Sequence, residues 1–282
     1  MSPTLVRHQI PNTACAHPDG PAPTAGTRAR DWAEIQERML VPLYEAAYDR
    51  LGIGPGTRLL GLGCGSGLAL LLAAARGAQV SGVDADESRL ELARERLTPD
   101  GMPEVTRLVS GGLADAAPED ARFTVITAFH PVGCGGTEEL TGALTAAAAL
   151  AERGSAVVLG GWGPVERCAA AGVLRVAHRL VAPAKRPGAG WVPAGRDDLE
   201  ELAARAGLRP DGSGRVACPF GYADVASAVR GLLSTGLFEE ALEVAGPRQV
   251  EKELAEALHP FQRADGTVWM ANVFRYLIAR TR

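Results

Sequence analysis

Leu59-Leu60-Gly61-Leu62-Gly63-Cys64-Gly65-Ser66-Gly67 is an apolar run that turns through glycines at alternate positions. Glycine has no Cβ and takes positive φ freely, so such a turn lets a ligand come close to the backbone. Leu68 to Arg76 is rich in helix formers, and Gln79 to Val83 reads as a second strand leading into Asp84, 17 residues after Gly67. An acid at that strand tip faces a ribose lying across the first turn. The predicted guest is a nucleoside cofactor.

The dinucleotide fingerprint Gly-x-Gly-x-x-Gly or Ala fails in both registers, meeting Leu68 when started at Gly63 and Ser66 when started at Gly61. The stretch instead resembles motif I of class I S-adenosylmethionine (SAM) methyltransferases, Val-Leu-Asp-Leu-Gly-Cys-Gly-Thr-Gly, and Gly82-Val83-Asp84 matches its ribose-binding strand end. Gly161 to Pro164, Cys218 to Tyr222 and Asn272 to Tyr276 resemble small-molecule methyltransferases related to the ubiquinone/menaquinone group. The resemblance implies methyl transfer from SAM to a small molecule. It sets Gly63, Cys64 and Gly65 beside the methionine moiety and Asp84 on the ribose hydroxyls, with Gly61, Ala85, Gly112, Leu113 and Phe129 completing the cofactor site.

Three positions depart from that pattern. Gly61 stands where the motif carries an acid that helps organise the methionine amino group. Gly112 stands where an Asp meets the adenine amino group, and Thr124 replaces the Asp of the usual Phe-Asp-Val-Val opening strand four. Each lost bond to a charged group removes about 1.5 to 3 kcal/mol unless another residue compensates. Asp115 is one substitute for the adenine contact, and a solvated loop acid or helix cap is its competing reading. These departures keep a second functional class open, a methyltransferase-like fold that transfers no methyl and serves as a cyclase or binding protein.

The 282 residues, 46% hydrophobic, can fill a core of about 200 residues with a cap added. A formal net charge of −4 and the lack of a dense Lys/Arg run argue against nucleic acid as a partner. No run of 18 apolar residues suits a membrane, and the first 30 residues hold Pro, Gly, Thr and His where a signal peptide needs an apolar stretch, so the expected location is cytoplasmic. Cys15, Cys64, Cys134, Cys168 and Cys218 are scattered and form no Cys-x-x-Cys pair, which points to neither disulfides nor a metal site. Oligomeric state is not legible.

Residues 1–29, rich in Pro and Gly, read as a disordered tail, followed by one domain over 30–282. Trp32, Ile35, Met39, Leu43, Ala47 and Leu51 recur at helical spacing, predicting a helix from Asp31 to Leu51 bent near Pro42. Beyond the glycine turn, helices at Glu87 to Leu97, Glu138 to Arg153 and Asp197 to Ala206 alternate with strands at Val105 to Val109, Arg122 to Phe129, Ser155 to Gly160, Arg215 to Pro219 and Trp269 to Ala279. The alternation predicts an α/β fold, a doubly wound, Rossmann-like and mostly parallel seven-stranded sheet. Segments near 163–196 and 221–265 interrupt it with helical stretches and read as lid insertions over the carboxyl ends of the strands.

Methyl transfer needs the nucleophile aligned with the methyl group and, for many acceptors, a base. His130, directly after strand four, is the candidate general base, set against a histidine that merely bonds the loop beside Pro131. Trp162 and Tyr222 flank predicted strand ends and are the candidate substrate-binding residues. Trp32, Tyr44, Trp191 and Phe220 are weaker ones, against the alternative that all are core.

Overall fold

β1 (Arg58–Leu62) sends Leu59 into one apolar core and Leu60 and Leu62 into another, because successive strand residues face opposite sides of a sheet. The computed structural model that shows this describes residues 24–98, 107–111, 113–116, 122–129, 137–181, 195 and 197–282. β2 (Gln79–Asp84) and β4 (Phe123–Phe129) flank β1 in parallel. β3 (Arg107–Ser110) adds to β2, and β5 (Ala151–Trp162) to β4. β9 (Val273–Arg280) runs antiparallel between β5 and β6 (Arg209–Ala217), giving the order β3-β2-β1-β4-β5-β9-β6. The expected seven-stranded, mostly parallel sheet is therefore present. Buried on both faces, its central strands carry continuous apolar runs such as Val157-Val158-Leu159.

One face is covered by α2 (Val41–Leu51), α3 (Leu68–Ala75) and α4 (Glu87–Leu97), the other by α5 (Thr137–Ala149) and α7 (Asp198–Arg205). Thr24 caps α1 (Ala25–Asp31) by accepting the Thr27 N–H at 3.2 Å. Residues 25–29 thus form helix, a correction to a tail reaching residue 29, while residues 1–23 lie outside the described residues. The single bent helix expected from Asp31 is instead a change of helix type: a π turn at Trp32–Gln36, a 3-10 turn at Glu37–Leu40, then α2. Pro42 falls in the first turn of α2, where its missing N–H costs nothing.

α6 (Ala170–Val181), α8 (Val225–Leu233), α9 (Glu239–Ala245) and α10 (Pro247–Leu258) pack their apolar stripes together, with Val173, Leu174, Val250 and Leu254 fully buried. They form a cap fastened to the N-terminal segment and to α4. The Tyr222 hydroxyl donates to Gln36 Oε1 at 2.8 Å, Arg230 pairs with Asp31, and Arg89 Nη2 donates to the Ser234 carbonyl at 2.8 Å.

At the foot of the cap β7 (Phe220–Tyr222) pairs antiparallel with β8 (Val268–Met270). The last strand, expected unbroken from Trp269 to Ala279, is split because buried Asn272 bends the chain. Its side chain accepts the Ala170 N–H at 3.0 Å and donates to the Met270 carbonyl at 3.2 Å. β6 starts earlier than expected, at Arg209, with an irregular register between Pro210 and Gly212 that an edge strand tolerates. Among the described residues no helix is long and apolar enough to cross a membrane.

Candidate functional site

The turn leaving β1 holds Gly63, Gly65 and Gly67 at φ of 62°, 57° and 80°, the left-handed region where other residues are strained. The Cys64 N–H extends the ladder to the Val83 carbonyl at 3.0 Å, and Gly67 bonds back to Cys64 at 3.0 Å. At Gly67 any side chain would also collide with Ala93, whose Cβ lies 2.9 Å from where a new Cβ would stand. The turn is thus fixed from both sides.

Asp84, half-buried at the tip of β2, reaches across to this turn. Its Oδ2 accepts the Gly65 N–H at 2.7 Å and its Oδ1 the Asp86 N–H at 2.9 Å. A carboxylate has about four acceptor positions, so two remain for a ligand diol. The predicted pairing of glycine turn and acid is met.

A cleft opens beside them, bounded by Gly61 to Gly65 from β1 and its turn, by Thr127 and Phe129 of β4, and by Trp32, Glu37 and Tyr44 from the N-terminal segment. It lies at the carboxyl ends of adjacent strands, the usual ligand position in open α/β sheets. The Phe129 ring packs on Tyr44 with centroids 4.8 Å apart. Cys64 is buried, and burial pushes its thiol well above the ordinary range, so it stays neutral and offers no nucleophile.

Glu37 closes the back of the cleft. Its Oε2 accepts from the Ser66 hydroxyl and from Arg96 Nη1 at 2.7 Å, and Arg96 also reaches the Ser66 and Ala33 carbonyls. Burial raises the Glu37 carboxyl above its usual range, and the Ser66 and Arg96 bonds oppose that rise. α3 has glycine as its N-cap and no side-chain cap of its own.

The other expected residues divide into three groups. Ala85 is exposed next to Asp84, and Leu113 opens a short 3-10 turn at Leu113–Ala116, packed against the second core, with Asp115 exposed. Gly112 and His130 lie outside the described residues. Trp162 and Tyr222 are drawn into an aromatic cluster with Phe220 and Phe274, ring centroids 4.4 to 6.4 Å apart, rather than into the cleft. Sequence reasoning missed Glu37 and Thr127. The helical stripe that carried Trp32 gave no hint of Glu37, because residues five apart share a side only in a π turn.

The site fits a nucleoside bearing an amino acid: a strand-end acid for a diol, a left-handed glycine turn, and a buried acid beside a buried indole N–H that has no hydrogen-bond partner among the described residues. Residues 59–154 match a family model described as a methyltransferase domain. Methyltransferase GfsG of Streptomyces halstedii is 41% identical over 85 residues, 30% of this chain and 28% of that protein. The ubiquinone biosynthesis O-methyltransferase of Azoarcus sp. (strain BH72) is 39% identical over 75 residues, 27% of this chain and 32% of that protein. The matches span less than a third of either curated relative. Among solved structures, the cyclopropane synthase MmaA2 of Mycobacterium tuberculosis superposes with a TM-score of 0.53 at 16% identity, covering 85% of this chain and 83% of that one. The cyclase SpnF gives 0.51 at 15% identity over 85% and 79%. At such identities the likeness speaks for the fold alone.

Proposed function

We propose that this chain, whose residues 59–154 match a methyltransferase-domain family model, is a class I, SAM-dependent methyltransferase that transfers the methyl group of SAM to an oxygen, nitrogen or carbon of a small metabolite. The observation that carries the reading is the clip between Asp84 and Gly65, which ties a strand-end carboxylate to the bare backbone turn that lines the cleft. When bound, SAM supplies a methyl group on a sulfonium, already activated for displacement. The protein's contribution is positioning. Asp84 accepts the ribose hydroxyls, Gly63, Cys64 and Gly65 line the methionine side, and Leu113 and Phe129 flank the nucleoside.

His130 follows Phe129 in the chain, and its role as base is to take the proton from the acceptor atom as the new bond forms. The segments near 163–196 and 221–265 act as the lid that excludes water, a role supported by the bonds from Tyr222 to Gln36 and from Arg230 to Asp31, in the N-terminal segment that lines the cleft with Trp32 and Glu37. The second reading, a cyclase or binding protein on the same fold, draws on one observation. Position 61 lacks the acid of the motif, and Leu70 Cδ2 lies 3.0 Å from where its Cβ would stand.

Two measurements decide between these readings. Calorimetry with SAM tests the cofactor, and a labelled-methyl assay on cellular small molecules tests transfer. His130→Ala is expected to lower turnover about 10²- to 10⁴-fold with SAM affinity unchanged. Wild-type turnover in that variant removes the base role, and tight SAM binding without label transfer to any metabolite favours the second reading.

A further inference from the structure

Trp32 and Glu37 sit at the ends of the π turn, where the Glu37 N–H bonds the Trp32 carbonyl five residues back. That bond replaces the α-helical spacing and brings both side chains against the glycine turn. A Cβ built on Gly65 would stand 3.1 Å from Trp32 Nε1 and 3.2 Å from Glu37 Oε1. Trp32 is 7% exposed, and its Nε1 is buried with no hydrogen-bond partner among the described residues. Native interiors leave few donors unpaired, and one aimed into a ligand cleft asks for an acceptor. Arg89 stacks its guanidinium over the indole at 4.7 Å, which polarises the ring and strengthens the N–H as a donor to an anion.

Beside this donor stands an acceptor. Ser66 and Arg96 both engage Glu37 Oε2, and Oε1 is the oxygen nearest Gly65. A single N–H and a carboxylate oxygen at one backbone turn match the two ends of a zwitterion: the indole suits a carboxylate, which has no proton to give, and the carboxylate suits an ammonium, which has no lone pair. We infer that Trp32 and Glu37 hold the amino-acid end of SAM, the indole N–H donating to its α-carboxylate and Glu37 Oε1 accepting from its α-ammonium. Glu37 thereby supplies the carboxylate that position 61 lacks. Leu70 and Cys64 fill the space a side chain at 61 would need, so the acid arrives from the N-terminal segment instead.

This assignment rests on the cleft being a SAM site, and the test separates the two claims. Titration calorimetry compares S-adenosylhomocysteine with methylthioadenosine, a nucleoside lacking the amino-acid end, on the full chain. Trp32→Phe keeps the ring and removes the donor, and Glu37→Gln removes the charge. Each is expected to weaken S-adenosylhomocysteine about tenfold or more while changing methylthioadenosine less than about twofold. Asp84→Asn, acting at the ribose, is expected to weaken both ligands alike. Equal effects of Trp32→Phe on both ligands, or none on either, overturn the assignment, as does a wild-type protein that binds the two equally well. A wild-type protein that binds neither nucleoside overturns the SAM reading itself. Where Glu37→Gln fails to fold, because Ser66 and Arg96 depend on it, Trp32→Phe decides alone.

Discussion

Replacing Asp84 by asparagine takes an acceptor from a side chain with two tasks. In the protein as it stands, the carboxylate holds the Gly65 N–H at 2.7 Å and the Asp86 N–H at 2.9 Å. Asparagine keeps one carbonyl oxygen and turns its NH2 toward the other donor, so one bond is lost and the survivor becomes neutral. Bonds to a charged group contribute about 1.5 to 3 kcal/mol and neutral ones about 1. Because Asp84 is half-buried, we expect the lower part of that range, a loss of about 2 kcal/mol and a fall in Tm of about 4–8 °C. On the ligand side, a ribose diol that loses one of two charge-assisted bonds binds about 10- to 150-fold more weakly. Thermal unfolding reads the first effect and calorimetry with S-adenosylhomocysteine the second. A variant that melts earlier yet binds with wild-type affinity refutes the ribose assignment and leaves Asp84 as a clip for the turn.

Gly67→Ala forces a left-handed φ of 80° on a residue with a Cβ and drives that atom to 2.9 Å from Ala93, so urea unfolding should show a loss of about 2–4 kcal/mol; a loss below about 1 would contradict the packing argument. Asp224 caps α8 through the Ser227 N–H at 2.6 Å, a bond that holds its carboxyl below the ordinary 3.8, so Asp224→Ala should cost about 1 kcal/mol at neutral pH. A group depressed in the folded state stabilises above its unfolded pKa and loses that contribution as pH falls, so the gap between wild type and variant should close on acidification below about pH 4. Burial pushes the Cys218 thiol up to about 12 and raises Cys64, Tyr44, Tyr48 and Tyr222 as well. Groups raised in the folded state lose their stabilising contribution as pH climbs past 9 to 10, so phenolate absorbance from these tyrosines and thiol alkylation should rise together with loss of helix; their appearance in folded protein would count against the buried assignment.

The glycine turn, α3, β2 and Asp84 were legible because everything that fixes them lies within one βαβ unit, and α4 fell on its expected bounds for the same reason. The rest depends on partners far along the chain. Trp162 and Tyr222 do stand at strand ends, but Phe220 of β7 and Phe274 of β9 pack with them and make them core. Asn272 looked like part of a strand until the Ala170 N–H, a hundred residues away, claimed its side chain. Glu37 was hidden for a local reason: a helical wheel assumes one period throughout, and the π turn changes the period where the acid sits.

The insertion of β9 between β5 and β6 orders the assembly of the molecule in time. During synthesis β6 emerges with no neighbour in the sheet, since its partner is residues 273–280. The cap helices α8 to α10 are made in that interval and have each other and α6 to fold against. β5 meanwhile presents an open edge of unpaired backbone groups rich in Val and Leu. Such an edge invites pairing with foreign strands. A nascent chain stalled before residue 273 therefore carries a complete glycine turn beside an unfinished, adhesive sheet, and late mutations that slow the docking of β9 should surface as aggregation during expression rather than as a weakened site.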